Sequence, residues 1–144
     1  MTVYSRILVP LEHSPTDSAI LSHVRPLAKL CGATIVLIHV ADGWAARNLK
    51  QLHLRDSEEM HRDRVYLEGV CAELEREGFD ADAVLANGDP AAEILEAVQR
   101  ERCDLIAMAT HGHRLVGDIV YGSVANTVRH KAAVPVLMVR GVRG

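Results

Sequence analysis

The stretch MATHGHRLVGDIVYGSVANTV, Met108 to Val128, reads as a strand end, a glycine-bearing loop and a helix. An apolar run, Leu105–Ala109, leads into it, and an amphipathic run from near Ser123 to Lys131 leads out. Gly112, Gly117 and Gly122 lie between, close to His111, His113 and Arg114. Loop glycines let backbone N–H groups converge on one centre, and a helix start offers partial positive charge to an anion. Ser123 adds a hydroxyl. The chemistry that suits such a cradle is phosphate.

Outward from this stretch, four more short apolar runs recur: Ile7–Leu11, Ile35–Val40, Ala83–Ala86 and Val134–Val139. They are near-continuous rather than alternating, as expected of parallel strands covered on both faces. Amphipathic segments separate them. The first helix is expected from SPTD, with Ser14 as its cap, Pro15 in its first turn and a kink at Pro26; Gly32 ends it. A second runs from about Ser57 to Glu77, and the segment before it, ADGWAARNLKQLHLRD, has no period and reads as loop. A third starts at Asp89-Pro90, the acid capping and the proline fitting the first turn. Strand–helix alternation predicts one domain over residues 1–144, an open parallel five-stranded α/β sheet with helices on both faces, Rossmann-like, in order 3-2-1-4-5. Pro135 argues that the last strand is at an edge.

Composition narrows the function classes. At 144 residues and 49% hydrophobic content the chain can bury a core. Net charge is −3 and aromatic content 3%, which argues against nucleic acid as a partner. No apolar run approaches the roughly 20 residues of a membrane span. The N-terminal apolar part is too short for a signal peptide. Cys31, Cys71 and Cys103 are scattered and form no CxxC pair; small buried thiols in a reducing cytoplasm are the expectation. His111 and His113 lack ligand-spaced cysteines or carboxylates, so no metal site is read there.

The loop is neither of the two commonest phosphate loops. Tyr121 precedes Gly122-Ser123, so the lysine of a Walker A loop is missing, and the GxGxxG spacing is absent. Instead the whole chain resembles universal stress proteins of the UspA type. The resemblance is carried by RILVPLEHS at the first strand, GATIVLIHVAD at the second, GDPAAEILEAV at the third helix, and DLIAMATHGH with GSVANTVRHKAAVPVLMVR at the end. The nucleotide-binding branch of that family carries Gly, two residues, Gly, nine residues, Gly-Ser/Thr. Here the register is Ala109, two residues, Gly112, nine residues, Gly122-Ser123, so Ala109 replaces the first glycine. Glu12 stands where the family usually has Asp.

That resemblance implies ATP, with Mg²⁺ as its possible companion, in a cleft between the first and fourth strands. Matched positions put adenine and ribose near Pro10, Leu11, Glu12 and Val40. They put the phosphates near Met108, Ala109, Gly112, Gly122, Ser123 and Val124, with His113 and Arg114 able to neutralise charge. The resemblance also implies a cytoplasmic regulatory module, and a homodimer through Val134–Val139. Two other readings stay open. One is slow ATP hydrolysis, although no carboxylate pair for Mg²⁺ and no nucleophile with triad partners is evident. The other is a nucleotide-free dimerisation module, which Ala109 favours. His39, at the end of an apolar strand, reads as a satisfied core histidine rather than a ligand.

Overall fold

A computed structural model describes residues 3–42, 49–111 and 116–141. The elements are β1 (Arg6–Pro10), α1 (Thr16–Cys31), β2 (Thr34–Asp42), α2 (Leu49–Arg76), β3 (Ala81–Gly88), α3 (Pro90–Arg100), β4 (Leu105–His111), α4 (Val116–Lys131) and β5 (Val136–Gly141). The strands form one parallel sheet in the order β3-β2-β1-β4-β5, as expected.

The continuous apolar runs are explained by cover on both faces. Ile7, Val9, Ile35, Leu37, Leu105 and Ala107 pack on one side against α1 and α2, through Ile20, Val24, Leu67 and Leu74. Leu8, Val36, Ile38, Ile106 and Met108 pack on the other against Ile94 and Val98 of α3 and Val128 of α4. Each central strand therefore needs an apolar residue at every position, and the period-2 signal disappears.

Several local expectations hold and several are corrected. Asp89 caps α3 by accepting from Ala92 N–H at 3.0 Å, with Pro90 in the first turn. Gly32 ends α1 with φ 67°, a left-handed conformation that glycine adopts without the Cβ clash. Ser14 is not the cap of α1: its hydroxyl faces Glu12 and Thr16, and the Asp17 carboxylate reaches back to the preceding N–H groups instead. α1 runs unbroken through Pro26, where Pro26 and Ser22 are both exposed, so water can serve the freed carbonyl.

α2 begins eight residues before the expected Ser57, at Leu49. Leu49, Lys50, Gln51, Leu52 and Leu54 are strong helix formers, and propensity carries the turn without an apolar stripe to announce it. α4 begins at Val116, not near Ser123. Pro135 lies just before β5 rather than inside it, and its carbonyl accepts from Ile106 N–H at 3.0 Å; β5 is nevertheless an edge strand. Trp44 lies outside the described residues.

β5 ends at a close approach. A Cβ added to Gly141 would sit 2.8 Å from Thr16 Cγ2 and 3.3 Å from the Thr110 carbonyl oxygen. Gly141→Ala is expected to lower stability by about 1–3 kcal/mol through overpacking. Urea unfolding of the two proteins checks this; an unchanged midpoint would show that α1 and β5 have room to part.

Candidate functional site

The ladders of the sheet are unequal. β1 pairs with β2 along its whole length, from Arg6↔Thr34 to Pro10↔Ile38. With β4 it pairs only at Ile7↔Leu105 and Leu8↔Ile106. Beyond Leu8 the two central strands part toward their carboxyl ends, while β4 stays paired with β5 as far as His111↔Gly141. Chain order reverses across this gap, since β1 leads to β2 on one side and β4 lies on the other. This is the switch point at which doubly wound sheets hold ligands.

A cavity of about 110 Å³ occupies the gap. Pro10, Leu11, Glu12, Val40, Met108, Ala109 and Val124 line it, all of them residues singled out from the sequence. Ile38, His39, Pro90 and Ile94 also line it and were missed. Their signal was available: Ile38 and His39 precede Val40 on the same strand end, and Pro90 opens the helix that follows β3. Of the remaining sequence candidates, Gly112, His113 and Arg114 lie outside the described residues. Gly122 and Ser123 lie within α4, not at its start, and Ser123 is exposed. The expectation that a helix begins at Ser123 is thereby corrected, and with it the source of positive charge at that residue.

The walls are mostly apolar, with polar groups at the β1 end. Asp17, 2% exposed, organises that end. Its Oδ1 accepts the N–H of Glu12 at 2.8 Å, and its Oδ2 accepts those of His13 at 2.9 Å and Ser14 at 3.3 Å. The Tyr66 hydroxyl donates to the same Oδ2 at 2.6 Å. Burial first, and then the Asp17 carboxylate, raise the Tyr66 phenol above its ordinary range. The turn so formed holds His13 at φ 62°, a left-handed conformation that is costly for a side chain with a Cβ. His13 also stacks on Tyr66, with ring centroids 4.0 Å apart. Glu12 Oε2 accepts from the hydroxyls of Ser14 at 3.1 Å and Thr16 at 3.0 Å, which turns the carboxylate toward α1.

The three cysteines are free and buried. Burial pushes the Cys71 and Cys103 thiols up to about 11, so neither is a nucleophile at neutral pH. No cluster of three metal-ligating side chains occurs among the described residues. No helix there is long and apolar enough to cross a membrane.

An open parallel sheet with a cavity at its switch point defines the doubly wound α/β class. The chain belongs to the universal stress protein family, whose model matches residues 3–140. It is similar to universal stress protein MJ0577 of Methanocaldococcus jannaschii, 28% identical over 158 residues and 96% of each chain. The solved MJ0577 structure matches with a TM-score of 0.86 over 99% of this chain and 100% of that one. The universal stress protein in the QAH/OAS sulfhydrylase 3′ region of Thermus aquaticus is 29% identical over 146 residues, covering 96% of this chain and all of that one. A universal stress protein of Archaeoglobus fulgidus, solved in complex with dAMP, shares the fold at a TM-score of 0.67 and 20% identity, over 96% of this chain and 99% of that one.

Proposed function

We propose that this protein binds an adenine nucleotide, ATP foremost, in the cleft between β1 and β4, and acts as a nucleotide-dependent regulatory module. The observation that carries this reading is the early end of the β1–β4 ladder at Leu8 and Ile106, which opens an apolar slot with polar groups on one wall. Val40, Met108, Ile38 and Ile94 suit the faces of a purine. Glu12, with its two hydroxyl partners, suits ribose hydroxyls at the rim. Gly112, His113, Arg114, Gly122 and Ser123 are the residues offered to the phosphates, with Mg²⁺ as the ion that would accompany them. The dAMP complex of one protein of this fold makes adenine nucleotides the class to test first.

A regulatory role belongs to the same reading: the titratable groups on the described cleft walls, Glu12 and His39, are engaged by the protein itself, Glu12 by the hydroxyls of Ser14 and Thr16 and His39 by the Leu11 carbonyl. A homodimer through the Val134–Val139 segment belongs to the same reading, since it would cover the edge of β5, and so does a cytoplasmic location. A nucleotide-free dimerisation module is the second reading. Ala109 favours it, as does the start of α4 at Val116, which leaves Ser123 inside a helix.

Calorimetry on nucleotide-free protein distinguishes them. ATP is expected to give saturable heat at micromolar concentrations and to raise the thermal midpoint as its concentration rises. No heat at high micromolar ATP, with a flat midpoint across ATP, ADP, AMP and cyclic AMP, would favour the second reading.

A further inference from the structure

The rim of the cleft depends on a residue held against its ordinary backbone preference. His13 follows the cavity-lining Glu12 and has φ 62°. A residue with a Cβ keeps such a conformation only where its surroundings over-determine it. Those surroundings come from α2. The Tyr66 ring stacks on the imidazole of His13, with centroids 4.0 Å apart and planes 16° from parallel. One turn earlier on α2, Asp63 Oδ1 is hydrogen-bonded to His13 Nδ1 at 2.8 Å. The Tyr66 hydroxyl donates at 2.6 Å to Oδ2 of Asp17, the oxygen that accepts the N–H groups of His13 and Ser14. Tyr66 thus grips the turn twice, by its ring on the His13 side chain and by its hydroxyl on the acceptor of the turn's backbone. Neither His13 nor Tyr66 is among the described residues that line the cavity, so both act on it from behind.

The turn reaches the cleft through Glu12. Asp17 Oδ1 holds the Glu12 N–H at 2.8 Å, and Glu12 Oε2 accepts from the hydroxyls of Ser14 at 3.1 Å and Thr16 at 3.0 Å. Ser14 lies on the far side of His13, so rotating His13 to a negative φ redirects the chain between Glu12 and Ser14. The Ser14 hydroxyl then leaves the carboxylate, the His13 and Ser14 N–H groups leave Asp17, and Glu12 loses its fixed place at the rim.

We propose that Tyr66 is a positioning residue of the cleft: it holds His13 left-handed and so presets the Glu12 rim against which the ribose of a nucleotide would lie. This rests on the nucleotide reading of the cleft. Without the Tyr66 ring and hydroxyl, the left-handed penalty outweighs the remaining contacts. The competent turn falls to about one molecule in ten, and apparent ATP affinity falls by the same factor, about tenfold. Glycine adopts a positive φ without that penalty, so His13→Gly keeps affinity within about threefold of the unmodified protein and no longer needs Tyr66.

Two measurements on the full chain decide this. The first needs no ligand: the NOE between the N–H and Hα of residue 13 is strong at positive φ and weak at negative φ. It is expected to be strong in the unmodified protein and weak in Tyr66→Leu; a strong signal in both would overturn the role of Tyr66 in holding the turn. The second is ATP calorimetry on the unmodified chain, Tyr66→Leu, His13→Gly and the double variant. Tyr66→Leu is expected to cost about tenfold alone and less than about twofold in the glycine background, since coupled residues are not additive. A purely structural contribution of α2 packing would cost the same in both backgrounds, and equal losses overturn the proposal. Should Tyr66→Leu lose its cooperative melt, His13→Val carries the test, because a β-branched residue resists φ 62° with Tyr66 still in place. Loss of affinity there supports the proposal and full affinity overturns it. If ATP gives no heat in any of these proteins, the nucleotide reading and the cleft role fall together, and the NOE still decides whether Tyr66 holds the turn.

Discussion

Asp17→Ala is expected to lower stability by about 3 kcal/mol or more, measured as a fall in the urea midpoint at constant slope. The carboxylate is buried and accepts from three consecutive backbone N–H groups and from a phenol on a different helix. Hydrogen bonds to a charged group contribute about 1.5–3 kcal/mol each, and a buried donor left alone costs its desolvation. Partial exposure of Glu12 and Ser14 lets water recover part of this, which keeps the figure near the cost of breaking one buried charged contact rather than four. His13 loses the N–H contact that helps hold it at φ 62°, and the turn can relax to ordinary backbone. Asp17→Asn should fall between the two proteins, because one oxygen remains as an acceptor while the amide turns a donor toward the N–H groups. A cost below about 1 kcal/mol for the alanine variant would mean that the turn is held mainly by the stacking of His13 on Tyr66.

The order of the sheet was legible because parallel strands buried on both faces announce themselves as unbroken apolar runs. Ile7–Leu11, Ile35–Val40 and Leu105–Ala109 are such runs, and they form β1, β2 and β4 within two residues of each end. Asp89-Pro90 was legible for a different reason: a cap and a fixed φ are local chemistry, and both appear in α3. Where competing local signals existed, the wrong one was favoured. Ser14 fits a cap by residue type, but α1 has no side-chain cap: the Ser14 hydroxyl turns to Glu12 and Thr16, and Asp17, three residues on, binds N–H groups that precede the helix. Gly117 and Gly122 lower helix propensity by about 1 kcal/mol each relative to alanine. They therefore read as loop, yet α4 contains both.

The cleft divides along the same line. Its β1, β2 and β4 walls follow from strand ends, so residues far apart in the chain could be placed together once the order 3-2-1-4-5 was read. The contact between Asp63 and His39 could not. Asp63 lies in a charged stretch, RDSEEMHRDR, that reads as a solvated helix face, and only the packing of α2 on β2 brings it to His39. His39 was read as a satisfied histidine, and both of its nitrogens do have partners. What the sequence did not reveal is that one partner is a carbonyl and the other a carboxylate.

The largest functional effect is expected from Val40→Trp. Val40 lies at the carboxyl end of β2 on the sheet face that carries Ile38 and Met108, and it lines the cavity. An indole placed there occupies much of the roughly 110 Å³ available. ATP affinity is expected to fall at least about 100-fold, a loss of about 2.7 kcal/mol, because the purine and the indole compete for one slot. The fold should survive: Val40 is half-buried at the mouth of an opening, and the cost of extra bulk is about 1–3 kcal/mol even in a filled core. Leu30→Trp is the control, since Leu30 is 85% exposed on α1, away from the cleft. Calorimetry with ATP and a thermal melt of each variant give the reading. Unchanged affinity in Val40→Trp would show that the nucleotide lies elsewhere. Affinity lost together with the cooperative melt would implicate the fold, and Val40→Phe, with less bulk to accommodate, should then restore the melt while still blocking the slot.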